Sequence, residues 1–210
     1  MRARSRTSLS RGERDGAGTV RRWVRYLVCG LTGAALGAGA AVYSVRAGAF
    51  GSSARIGPWA TGTDFGTAEA GAYTRAVVSL RGLLALPARE ARYYTAAEDD
   101  AGRPLEGRCA YRIRGGEAGG AWWSLTLYGR NGFLVANPAN IWSVGSAALP
   151  PAERRSWSII ASPDRRPRRW LPTGGIDRFE LTLRVYLPEG SGRFNPPVDR
   201  LPRVERLDCA

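Results

Sequence analysis

The side chains best able to do chemistry fall in three groups. Glu98, Asp99 and Asp100 form the densest carboxylate cluster, and adjacent carboxylates can tune one another's pKa for acid–base work or hold a hard cation. The same residues open an Asp-Asp-Ala-Gly run, where Asx side chains bond nearby backbone groups, and turn chemistry is the reading favoured. Second, Trp122, Ser124 and Tyr128 recur at even spacing, as do Glu180, Arg184 and Tyr186. On two extended segments each trio lies on one face, and if the segments pair, they share a surface with Thr126 and Thr182. Aromatic rings with a few directed polar groups suit a sugar or a peptide. The plainer alternative is a half-covered sheet face on which Glu180 and Arg184 satisfy each other or nearby backbone. Third, Arg165-Arg166-Pro167-Arg168-Arg169, expected at a hairpin tip, would grip phosphate or anionic lipid, although runs of one charge are more often solvated loops.

Composition removes much else. The 210 residues contain no His, which excludes Ser-His-Asp and Cys-His catalysis and most zinc sites. No catalytic residue, metal site or cofactor is expected. Every one of the 31 basic residues is Arg, a pattern of base-composition bias more than of guanidinium sites chosen for chemistry. Of the +13 net charge, eight Arg against Glu13 and Asp15 give +6 up to Arg25, and 23 Arg against 16 carboxylates give +7 from Arg46 onward. A basic tail of this kind abuts an apolar segment and no nucleic-acid-binding motif follows it, so nucleic acid is not an expected partner.

The chemical groups need elements to position them, and the first element is apolar. Tyr26 to Val45 carries no charge, and a helix of that length spans roughly the 30 Å hydrocarbon core of a bilayer. Arg21, Arg22 and Arg25 precede it while Arg46 and Arg55 are the only charges just beyond. The positive-inside rule then predicts a single-pass inner-membrane signal-anchor, with the N-terminus cytoplasmic and the C-terminal domain periplasmic. Cleavage after the small triplet Ala47-Gly48-Ala49 is the competing reading, and the high Ala and Gly content also allows a low-complexity spacer. Gly33 and Gly37 make a small-xxx-small pair, a spacing that arises by chance in such a run. Cys29 lies in the apolar segment; Cys109 and Cys209 belong to the exported part, where they either form a disulfide or remain two partly buried thiols.

The chain therefore divides into a basic cytoplasmic tail over 1–25, a transmembrane helix over 26–45, a linker rich in small residues over 46–67, and a globular β domain over 68–210. In the last, Tyr73, Ala76, Val77, Leu80, Leu83 and Leu84 recur at helical spacing until Pro87, predicting one helix that covers a side or end of a sheet. Beyond Pro87 the period becomes two. Strands are expected from Tyr93, over Arg108–Arg114 and Trp122–Tyr128, then Phe133–Val135, Trp157–Ala161 and Phe179–Leu187, with a hairpin turn at Gly129-Arg130-Asn131-Gly132. The fold class is mainly β: an antiparallel β-sandwich, jelly-roll-like, with one flanking α-helix.

The order DDAGRPLEG, AWWSLTLYGRNGFLVANP, RRWLPTGG, FELTLRVYLPEG and a terminal PPV resembles the bacterial domain of unknown function 1214, over about 93–203. The resemblance implies an all-β domain, beside a companion domain or, in short proteins, behind an N-terminal membrane segment. Where that family usually has Arg-Tyr-Ser after its Asn-Pro, this chain reads Asn137-Pro138-Ala139-Asn140-Ile141-Trp142-Ser143, and the Asp-Gly turn of the following hairpin is absent. No role for that Arg or Tyr carries over.

These readings converge on a non-catalytic envelope protein, held at the membrane by its N-terminal helix, that binds an envelope glycan or a protein partner. A carboxylate-dependent glycan hydrolase or lyase is the alternative, requiring two carboxylates facing across a cleft. A structural or assembly module is the third.

Overall fold

A computed structural model describes residues 12–47, 53–62, 64, 66–80, 86–167, 169–189 and 200–209. Several expectations lie outside them: Gly48 and Ala49 of the small triplet, the helix positions Leu83 and Leu84, Arg168 of the basic run, and the terminal PPV. The chain forms two compact units, 1–49 and 50–210.

The first unit is a helix, α1 (Gly12–Ala47). It is longer than the apolar segment because the basic leader has no Pro to stop it and is rich in Arg, a good helix former. Its portion Arg21–Val45 is long and apolar enough to cross a membrane, about 37 Å at the helical rise. Trp23, Leu27, Leu31, Leu36 and Val42 are all exposed. A signal sequence shares these properties, so the element is a membrane helix or a leader by the same criteria.

The second unit is a sandwich of two sheets with one short helix. Its elements are β1 (Ser53–Ile56), β2 (Trp59–Gly62), α2 (Ala72–Leu80), β3 (Ala91–Ala96), β4 (Cys109–Gly115), β5 (Gly120–Gly129), β6 (Ser143–Gly145), β7 (Trp157–Ser162), β8 (Trp170–Pro172), β9 (Phe179–Pro188) and β10 (Arg203–Cys209). One sheet has the order β1-β2-β3-β9-β5-β6 and the other β10-β4-β7-β8.

The core is where the alternation put it. Trp123, Leu125 and Leu127 on β5 stand opposite Val185, Leu183 and Leu181 on β9, and Tyr94 and Ala96 on β3 continue the layer. From the smaller sheet come Tyr111 and Ile113 on β4, Ile159 and Ala161 on β7, Leu171 on β8 and Val204 on β10, all fully buried. Burying a side chain of this size contributes roughly 1.5–3 kcal/mol. The sandwich therefore rests on alternate positions of β4, β5, β7 and β9.

The mainly β sandwich with a flanking helix is as expected, and four details differ. Residues 46–67 are not a bare linker: β1 and β2 form a hairpin whose second strand pairs with β3, and Trp59 is 1% exposed. Gly57 at φ +56° makes the turn, so the small residues there serve a tight connection. Phe133–Val135 supplies only an isolated bridge, Tyr128 to Leu134, since β6 is the strand that pairs along β5. The sandwich is not purely antiparallel, because β7 and β8 run parallel. Residues 163–169 can return over so short a strand, since a chain reaches ~3.3 Å per residue, and Pro172 suits the edge position β8 occupies. Hence the described arginines of the run, Arg165, Arg166 and Arg169, lie in a crossover and not at a hairpin tip. There Arg166 Nη2 lies 3.0 Å from Asp208 Oδ2, and Arg169 pairs with Glu153.

Candidate functional site: the outer face of the larger sheet

The register of β5 against β9 sets Trp122 opposite Tyr186, Ser124 opposite Arg184, Thr126 opposite Thr182, and Tyr128 opposite Glu180. Since Leu125 and Leu183 point into the sandwich, these pairs all point out of it. The eight residues occupy one surface, bordered on β3 by Tyr93, which is opposite Arg184.

That surface has two halves. Over β3, Val78 of α2 packs with Ala91 and Tyr93, and Leu86 and Tyr186 flank the cluster. The Leu86 N–H donates to Tyr93 Oη at 3.3 Å. Over β5 and β9 Trp122 is 38% exposed and Tyr128, Glu180, Arg184 and Tyr186 are half-buried, whereas Ser124, Thr126 and Thr182 are buried between them. The Trp122 and Tyr186 rings lie with centroids 4.7 Å apart and planes at 44°, close enough for an offset aromatic pair.

Arg184 organises the middle. Its Nη1 donates to Thr126 Oγ1 at 3.2 Å and its Nη2 to Tyr128 Oη at 2.8 Å. The guanidinium carbon is 5.5 Å from the Tyr128 ring centroid and 6.0 Å from that of Tyr93, within the range of cation–π attraction. No ion pair joins it to Glu180 among the described residues. The charge is positioned by neutral groups, so it keeps its capacity to attract an anion.

Beside Trp122 a groove of about 320 Å³ opens between Glu117, Gly120, Ser146, Arg154 and Glu189. Gly120 is needed there: a Cβ would lie 2.6 Å from Val185 Cγ1 and 2.7 Å from the Tyr186 carbonyl oxygen. Nothing in the local sequence pointed to this groove. It is assembled from segments far apart in the chain, and only the Gly119-Gly120 pair hinted at a close approach.

The carboxylate cluster is spent on structure. Asp99, 1% exposed, accepts the Ala101 and Arg103 N–H groups at 3.0 and 2.9 Å on Oδ1, and Arg103 Nε at 2.8 Å on Oδ2. Glu98 is paired with Arg55 at 2.8 Å. Asp100 accepts the Val204 N–H at 3.1 Å; desolvation holds its carboxyl above the ordinary range, against the lowering pull of that bond and of Arg203. Glu180 belongs instead to the outer face of β9. Glu98, Asp99 and Asp100 are thus each engaged by an arginine or a backbone N–H. No cluster of three metal-ligating side chains occurs among the described residues.

Cys109 and Cys209 are joined by a disulfide, with Cα atoms 3.9 Å apart, and the two residues are direct partners in the β4–β10 ladder. The bridge ties the last strand to the smaller sheet. Cys29 is free and exposed.

Residues 90–190 match the family model described as Protein of unknown function (DUF1214). This segment belongs to that family. The DUF1214 segment contains β3 through β9, hence the whole Trp122–Tyr186 surface, whereas the β1–β2 hairpin, α2 and β10 lie outside the match. No curated protein matches the chain. Among solved structures, the crystal structure of the VPA0106 protein from Vibrio parahaemolyticus is 22% identical with a TM-score of 0.53, covering 67% of this chain and 36% of its own. That likeness shows a shared fold. A putative uncharacterized protein from Burkholderia cenocepacia is 19% identical with a TM-score of 0.38, covering 58% of this chain and 30% of its own. The chain thus spans about a third of the length of these two proteins.

Proposed function

We propose that this protein is a membrane-anchored envelope domain that binds a glycan, without catalysis, on the outer face of its six-stranded sheet. The observation that carries the reading is the Trp122–Tyr186 ring pair, exposed at Trp122 and continuous with a guanidinium held by Thr126 and Tyr128. Aromatic faces accept the C–H surfaces of sugar rings, and a fixed guanidinium beside them gives a hydroxyl or carboxylate one directed partner. Glu180, on the same face, supplies an acceptor. The neighbouring groove lengthens the surface to accommodate a chain rather than a single sugar.

The envelope location is part of the proposal. Arg21, Arg22 and Arg25 before the apolar helix favour a cytoplasmic N-terminus, which directs 50–210 to the periplasmic side, and a disulfide within that unit suits an oxidising compartment. Cell-wall glycan is the polymer found there. The test is cosedimentation of the full chain, held in phosphatidylcholine nanodiscs, with purified insoluble cell-wall glycan. The wild type is expected to sediment, and Trp122→Ala to bind about tenfold more weakly, the loss of one central aromatic anchor. A Trp122→Ala protein that sediments like the wild type would refute the site.

A further inference from the structure

A second concavity, separate from the sheet face, carries a different charge. At one end of the sandwich a cleft of about 590 Å³ is lined by Trp59, Asp100, Arg114, Arg155, Arg200 and Arg203, with backbone from both sheets between them. Four guanidinium groups and one carboxylate share it. A neighbouring hollow of about 290 Å³ shares Asp100, Arg114 and Arg203 and adds Asp99, Arg103, Glu205 and Arg206, so its charges are more nearly balanced.

The counter-ions of these arginines are unequal. Arg114 pairs with Glu205 at 2.9 Å and Arg200 with Glu189 at 2.8 Å. Arg155 reaches Glu117 only at 3.8 Å, with the two side chains 89% and 69% exposed, a pairing that contributes little in water. Arg203 makes no ion pair among the described residues, although it is near enough to Asp100 to pull that carboxyl downward. Most arginines elsewhere in the sandwich lie against a carboxylate: Arg55, Arg103, Arg108, Arg166 and Arg169 all do. In the cleft Arg114, Arg155 and Arg200 do so too, Arg155 only loosely, and Arg203 is the exception there among the described residues.

The walls are also fixed. Trp59 is buried, its Nε1 donating to the Pro202 carbonyl at 2.6 Å, and Arg203 begins a strand whose next residue, Val204, donates its N–H to Asp100. Gly115 cannot carry a side chain, since a Cβ would lie 2.4 Å from the Trp157 ring. Concave walls focus the field of charges that line them, and guanidinium forks match the oxygens of a phosphate, each contact being charge-assisted.

We infer that this cleft is a binding site for a phosphate group, with Arg203 and the loosely paired Arg155 as its contacts and Arg114 and Arg200 as more closely paired charges in the same lining. The phosphate comes either from a soluble phosphorylated molecule or from the headgroup of an anionic lipid. The cleft shares no lining residue with the proposed glycan face, although Glu117 and Glu189, which pair with Arg155 and Arg200, line the groove beside Trp122.

The test uses the full chain in phosphatidylcholine nanodiscs, titrated calorimetrically with inorganic pyrophosphate at low salt, together with flotation on vesicles of phosphatidylcholine and phosphatidylglycerol. Arg155→Gln/Arg203→Gln removes the two exposed contacts without touching the core, and Arg130→Gln, in the turn after β5, controls for loss of charge. Pyrophosphate binding that weakens about tenfold or more in the double variant and is unchanged in Arg130→Gln supports the site with a soluble source. Vesicle binding with the same dependence on Arg155 and Arg203 supports it with a lipid source. Absence of both, or equal loss in Arg130→Gln, overturns it. Unfolding midpoints equal to the wild type's would show that each variant is folded.

Discussion

Arg184 and Asp99 are two charges with opposite assignments, and what separates them is who satisfies them. Asp99 is saturated by two backbone N–H groups and Arg103, so it closes a turn. Arg184 is held by two hydroxyls and pairs with no carboxylate among the described residues. Two other carboxylates give a test by pH. The Arg108 hydrogen bond holds Glu106 below the ordinary range, so its contribution is present above the unfolded glutamate pKa of about 4.3 and is lost as pH falls through the folded value. Asp100 is raised by desolvation, so its contribution is present below the unfolded aspartate value of about 3.9 and is lost as pH rises through its folded value. Thermal unfolding should show Glu106→Gln less stable than the wild type at neutral pH, the gap closing under acid. Asp100→Asn, whose amide oxygen can still accept the Val204 N–H, should run the other way. Gaps that ignore pH would mean that neither titration is linked to folding. Period two in β5 and β9 made the members of the outer face legible, whereas the partner of Arg184 was not. Glu180 was the local candidate, but cross-strand register gave the guanidinium to Thr126 and Tyr128, residues more than fifty positions away.

At the scale of elements, the strands that could be read were those long enough to alternate. β4, β5, β7 and β9 each repeat their apolar residues at several consecutive even steps, and their faces came out as the pattern required. β1, β2 and β8 have four, four and three residues, too few for a period to emerge, and the first two lie among small residues that resemble a linker. Trp59 was the overlooked signal, a large aromatic in a stretch otherwise poor in them. It is 1% exposed and anchored to Pro202, so the hairpin closes one end of the core. Trp59→Ala should cost about 3–5 kcal/mol, the range for emptying a buried aromatic site, read as a lower denaturant midpoint of the full chain. A linker residue would leave the midpoint where it was. β10 escaped for another reason: its residues beyond Val204 are largely solvent-facing, so its position depends on β4 and on Cys109, not on an apolar stripe of its own.

For the whole molecule, the three cysteines report on which side of a membrane holds the sandwich and on whether α1 stays attached. Cys29 is in the apolar helix and free, while Cys109 and Cys209 are bridged within the second unit. Disulfides persist in oxidising compartments and are reduced in the cytosol. If the chain is a signal-anchor with 50–210 exported, protein denatured directly from cells in the presence of a large maleimide should gain one label without reductant and three after reduction. Cleavage of the leader near Ala47 would remove Cys29, giving none and then two. Retention in the cytosol would give three in both lanes, and would overturn the export that the flanking arginines predict. Cys109→Ser sharpens the measurement: it frees Cys209, so the anchored protein should carry two labels before reduction and two after. The bridge closes a loop of about a hundred residues, and the chain-entropy model assigns such a loop roughly 4–5 kcal/mol. The compartment that keeps the bridge oxidised is therefore also the one in which the sandwich has its full stability.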